Sequence, residues 1–157
     1  MVTRQMLTQY SDTRKEVKEI QERIEKLENR IPKLEKRISE IEDGETVKDK
    51  VYGGNGGLQG FVVEGVPLRE YTDKKTELKI KRMLLSERKE MLGILELELL
   101  RQTNEIQRFI NSIKDSHVRR IITLRVVDEL SWNEVADRMG GMNTEDSVRK
   151  AFERFVK

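Results

Sequence analysis

Tyr71, Leu78, Leu85, Leu92, Leu99, Ile106 and Ile113 stand seven residues apart without a miss. An apolar repeat of that period, held for that length, is the seam of a long helix lying against another helix. The spacing predicts such a helix over residues 72–113. A matching series occupies the first forty-odd residues. Tyr10, Val17, Ile24, Ile31 and Ile38 hold one seam position, and Met6, Ile20, Leu27, Leu34 and Ile41 hold the other, with Thr13 as the one polar interruption. Pro32 is the irregularity. It removes a backbone donor and clashes with the preceding turn at roughly 3 kcal/mol in a helix interior, so a kink or a restart near Ile31 is expected.

Each of the two helices has about forty residues, roughly 60 Å at 1.5 Å per residue, and they match in length. If Ile20, Leu27, Leu34 and Ile41 face Leu99, Leu92, Leu85 and Leu78 in antiparallel order, three flanking pairs fall in one register: Glu42 with Lys75, Glu35 with Arg82, and Glu28 with Lys89. A parallel dimer of the first helix competes, since Arg23 with Glu28, Arg30 with Glu35, and Arg37 with Glu42 would pair across chains. Exposed pairs are worth only about 0.2–1 kcal/mol each, so charge alone does not choose. The matched seams favour the intrachain hairpin. Composition agrees: with 38% charged and 5% aromatic residues in 157, the chain has the profile of long solvent-exposed helices rather than of one thick core.

The second helix carries more apolar surface than one seam needs. Met83, Leu84, Met91, Ile94, Leu95, Leu97 and Leu100 add a further face, which either the first helix or the terminal module covers or which, left uncovered, marks an interface. A two-fold homodimer is the expected homo-oligomer. Between the helices, residues 44–67 hold seven of the ten glycines and one of the two prolines. Val51-Tyr52 and Phe61-Val62-Val63 flank a glycine-rich turn and are suited to a small hairpin, marginal on its own. The glycine run at 53–57 is no phosphate loop, because no Lys-Ser or Lys-Thr follows it. A connector this long is either mobile or a contact site for a partner.

The last 39 residues, 119–157, read as three short helices in helix-turn-helix order. Ser131 with Glu134 three residues on forms a capping box at the start of the middle helix, and Thr144 followed by Glu145 and Asp146 opens the third. Gly140-Gly141 between them suits the left-handed backbone that ends one helix and re-aims the chain. Val148, Ala151, Phe152 and Phe155 form a buried stripe on the third helix. Val135, Ala136 and Met139 form one on the second, and Ile121, Ile122, Leu124 and Val127 serve the first. Leu130 and Trp132 complete this small core. The fold class expected is all-α: a long antiparallel, coiled-coil-like hairpin with a glycine-rich connector and a C-terminal helix-turn-helix. Its parts are residues 1–43, the connector 44–70, 71–113, and the terminal module 114–157.

Leu124-Arg125, Leu130-Ser131-Trp132-Asn133-Glu134-Val135-Ala136, Met139-Gly140 and Ser147-Val148-Arg149-Lys150 together resemble region four of bacterial sigma factors. The resemblance places Ala136 where the second and third helices cross closely, and implies that the third enters the major groove of promoter DNA. The turn from Gly140 to Val148 is longer than in that pattern. More loosely, the whole chain resembles phage-encoded regulators of the ArpU and RinA type, with a long helical region ahead of such a module. That resemblance implies a phage or prophage transcription regulator acting on late genes with the host RNA polymerase. The alternative is a coiled-coil assembly protein such as a DNA-packaging recognition subunit.

The DNA-binding residues expected are Arg149 and Lys150, early on the exposed side of the third helix, with Arg154 on the backbone and polar contacts from Asn143, Thr144 and Ser147. Nine Lys or Arg against eight Asp or Glu over residues 114–157 leave the module nearly neutral. The cations nevertheless gather, with Arg119, Arg120 and Arg125 expected beside Arg149, Lys150, Arg154 and Lys157 on a phosphate-facing surface. An enzyme is not expected. His117 is the only histidine, there is no cysteine, and the carboxylates recur at helical spacing beside Lys and Arg as solvated faces. No catalytic residue, metal or cofactor is assigned. Lacking a signal peptide or an apolar run long enough to span a bilayer, the chain is expected in the cytoplasm of a host cell, away from membranes.

Overall fold

The structure, a computed structural model, describes residues 4–44, 47–53 and 59–156. Two long helices dominate it: α1 (Arg4–Glu42) and α2 (Leu68–Ser112). Between them, β1 (Val47–Gly53) and β2 (Gln59–Gly65) form an antiparallel pair with Val51 opposite Phe61. The turn expected across Gly54, Asn55, Gly56 and Gly57 lies outside the described residues. The chain ends with α3 (Ser116–Ile122), a π-turn (Thr123–Val127), α4 (Trp132–Met139) and α5 (Glu145–Phe155).

Two departures from the sequence expectation concern the long helices. α2 starts at Leu68, before Thr72, with the Tyr71 amide donating to the Pro67 carbonyl at 2.9 Å. Proline is at ease there, because the first amides of a helix have no intrahelical acceptor. α1 runs through Pro32 without a restart. Ile31 and Leu34 on either side are buried, so seam packing outweighs the missing donor, while Pro32 itself faces solvent.

The chain divides into two compact units, Ile20–Met91 and Met1–Glu19 with Leu92–Lys157. In the first, α1 and α2 lie antiparallel. Glu42, Glu35 and Glu28 meet Lys75, Arg82 and Lys89 at 3.3, 2.5 and 2.7 Å, the register read from the sequence. The Arg37 guanidinium adds a two-pronged grip on Glu70 at 2.8 and 3.0 Å. Ile20, Ile24, Ile31, Leu34, Ile38 and Ile41 are buried along α1, as the heptads require. Leu84 proves half-buried rather than part of the uncovered face, whereas Ile80, Met83 and Met91 are exposed.

In the second unit the helix ends and the terminal helices share one core. Leu7 and Tyr10 of α1, Ile106 and Ile110 of α2, and Ile113 cluster with Ile122 of α3 and Val156. A second cluster joins Ile121, Leu124, Val135, Ala136 and Val148. Three helices this short bury little by themselves, so their rear face is closed by the long helices. On α2, Leu95 is half-buried, while Ile94, Leu97 and Leu100 are exposed. Among the described residues no helix is long and apolar enough to cross a membrane.

Candidate nucleic-acid interface

α3 is capped by Asp115, whose carboxylate accepts from the amides of His117 and Val118 at 2.8 and 3.3 Å. His117 is exposed in its first turn. At its far end the helix widens into the π-turn, closed by the Asp128 amide on the Thr123 carbonyl at 3.1 Å. Glu129 follows with φ of 56°, the one non-glycine residue in the left-handed region among those described. This strained passage is held from α1. Arg14 donates to the Val127 carbonyl at 2.8 Å and lies 3.6 Å from the Glu129 carboxylate, a charge-assisted contact that ties the route into α4.

α4 begins with the expected capping box. The Glu134 carboxylate accepts from the Ser131 amide at 2.8 Å and the Glu134 amide donates to Ser131 Oγ at 3.3 Å. The Ser131 hydroxyl, then its amide, hold the Glu134 carboxyl below its ordinary value. Trp132 and Phe152 meet in a T-shaped pair with centroids 5.2 Å apart, and the Arg125 guanidinium lies over the Trp132 ring at 4.6 Å. Arg125 also donates to the Leu130 carbonyl at 2.6 Å. One arginine thereby joins the end of the π-turn to the start of α4.

The turn into α5 uses both glycines as the sequence suggested, with φ of 71° at Gly140 and 67° at Gly141. An added Cβ would meet nothing within 4 Å at either, so it is the backbone conformation and not space that selects glycine. Asn143 closes the turn by donating from Nδ2 to the Gly140 carbonyl at 2.7 Å. Thr144 and Ser147 then cap α5 reciprocally: the Thr144 amide donates to Ser147 Oγ at 2.9 Å, and the Ser147 amide to Thr144 Oγ1 at 3.2 Å. The expected contribution of Asn143, Thr144 and Ser147 is thus directed inward, to the turn.

α5 buries Val148 completely against the second cluster, with Ala151 and Phe152 half-buried. Phe155 departs from the expected stripe. It is 42% exposed with its ring 6.0 Å from that of Phe109 on α2, and Val156 is buried in its place. Arg149, Lys150 and Arg154 are exposed on the outer side. Asp146, one turn earlier, accepts from Arg149 at 3.3 Å and from Lys150 at 2.6 Å. The Lys150 ammonium first, and Arg149 after it, hold the Asp146 carboxyl below its ordinary value. Arg154 makes no ion pair among the described residues.

Three further arginines make contacts to the backbone of their own unit. Arg119, Arg120 and Arg125, expected beside the phosphates, donate to the carbonyls of Ile113, Arg138 and Leu130 at 3.1, 2.8 and 2.6 Å. The Ile113 and Arg138 carbonyls stand at helix C-terminal ends, where no intrahelical donor remains, and the Leu130 carbonyl lies in the link before α4. Lys157 lies outside the described residues. Sequence reasoning missed Arg14 altogether, since its partners are more than a hundred positions away. Among the described residues no group of three His, Cys, Asp or Glu could hold a metal ion. Comparison with family models, curated proteins and solved structures returned no match to this chain.

Proposed function

We propose that the chain is a DNA-binding transcription regulator rather than an enzyme, with α4, the 140–144 turn and α5 acting as a helix-turn-helix. The observation that carries this reading is the two-sidedness of α5. Val148 anchors its back with no exposed surface, its start is fixed by the Thr144–Ser147 box, and Arg149, Lys150 and Arg154 are left to solvent on a rigidly aimed helix. A recognition helix needs that combination, because base edges are read only when the helix is held at a set angle to the groove. In this reading Arg149 and Lys150 address bases or phosphates early on the helix, Arg154 addresses the backbone, and Asn143, Thr144 and Ser147 set the approach.

The resemblance to sigma region four and to phage regulators of the ArpU and RinA type supports host RNA polymerase as a second partner and late-gene control in a prophage as the role. The near-neutral balance of the module supports modest affinity per copy, raised by a second copy. Selection from a random duplex library by the full chain tests the reading. Enrichment of a shared motif is expected, and a library that emerges unenriched while the protein remains folded would overturn it.

A further inference from the structure

In the second unit, α2 carries an apolar stripe that nothing among the described residues covers: Ile94, Leu97 and Leu100 are 64, 70 and 57% exposed. Leu97 is half a turn round the helix from Ile106, which faces Leu7 and Tyr10 of α1, so the stripe looks away from the shared core. Gly93 belongs to the same stripe, four residues before Leu97. It is exposed, and an added Cβ would meet nothing within 4 Å. Glycine inside a helix costs roughly 0.5–1 kcal/mol relative to alanine, and no neighbour among the described residues requires it. A glycine there leaves room for the close approach of another helix.

The charges along the stripe specify which helix. With Leu97 at a and Leu100 at d, Gly93 falls at d, Asn104 at a, Glu96 at g and Arg101 at e. In a parallel pair, g of one heptad faces e of the next on the other chain, which brings Glu96 to Arg101 twice by symmetry. An antiparallel pair would set e against e, placing Arg101 beside Arg101 or Arg108. Glu96 is exposed and makes no ion pair among the described residues. Arg101 is held by Glu98 and Glu105 through three N–H groups, which leaves two of its five for another acceptor. Asn104 is exposed and its side-chain amide makes no hydrogen bond among the described residues, and an a-position asparagine pairs with its own copy in parallel two-stranded coils.

We propose that this face binds a second copy of the chain in parallel, with Leu97 and Leu100 packed on their counterparts, Glu96 against Arg101 of the second copy, and Asn104 against Asn104. This pairing is independent of DNA binding. Light scattering of the full chain should show a concentration-dependent dimer that Leu97→Glu abolishes without loss of helical circular dichroism. Glu96→Arg and Arg101→Glu should each weaken it by about fivefold or more, and mixing the two variants should restore pairing. Asn104→Cys should crosslink chain to chain under mild oxidation. A monomer at the highest soluble concentration, a dimer indifferent to Leu97→Glu, or a dimer in which Asn104→Cys stays reduced would each overturn the proposal.

Discussion

Arg125 stacks on Trp132 at 4.6 Å and donates to the Leu130 carbonyl at 2.6 Å, so truncation removes a cation–π contact and strands a half-buried acceptor. Arg125→Ala should lower stability by about 1–3 kcal/mol in urea unfolding. Lysine should recover only part, lacking the planar face. Asp146 pairs with Arg149 and Lys150, the two cations that the proposed DNA reading assigns to bases or phosphates. Asp146→Asn should therefore raise DNA affinity and steepen its salt dependence, because phosphates would no longer compete with an internal carboxylate. Glu134 and Asp146 both sit below their ordinary values of 4.5 and 3.8. A carboxyl depressed in the fold stabilises it above the unfolded value and loses that contribution as pH falls through the folded one. Thermal stability should thus decline below about pH 4.5 and hold between there and neutrality. The capping residues were legible in the sequence, because a cap is a local pattern of residue types. The roles of Arg14 and Arg125 were not: each depends on which carbonyl the fold brings within reach.

At the scale of elements, the long helices were legible because a heptad repeat reports its own geometry, and the pairing of Glu28, Glu35 and Glu42 with Lys89, Arg82 and Lys75 followed from matching the two seams. The π-turn and the left-handed Glu129 were not, since neither has a local residue signature and both depend on Arg14 of α1. Nor was the rear closure of the module, where Ile122 and Val156 meet Tyr10 and Ile110. Pro32 sits inside a continuous α1, and Pro32→Ala should stabilise the protein by up to about 3 kcal/mol by restoring the amide donor. An unchanged urea midpoint would mean that the helix has already accommodated the ring. Cysteines at Glu35 and Arg82 together should form an intrachain disulfide in dilute oxidising solution. Interchain bonds alone would instead favour the parallel arrangement of α1.

At the scale of the whole molecule, a net charge of +2 gives no broad electrostatic attraction to DNA, so the function proposed rests on one helix face rather than on bulk charge. That claim has a direct measurement: binding of the selected duplex by fluorescence anisotropy across a salt series, for the wild type and for Arg149→Ala, Lys150→Ala, Arg154→Ala combined. With the fold intact by circular dichroism, the triple variant should bind much more weakly. The slope of log affinity against log salt should shrink by roughly 0.9 for each phosphate that the variant no longer neutralises. Equal affinity and equal slope for the two proteins would contradict α5 as the DNA-reading helix.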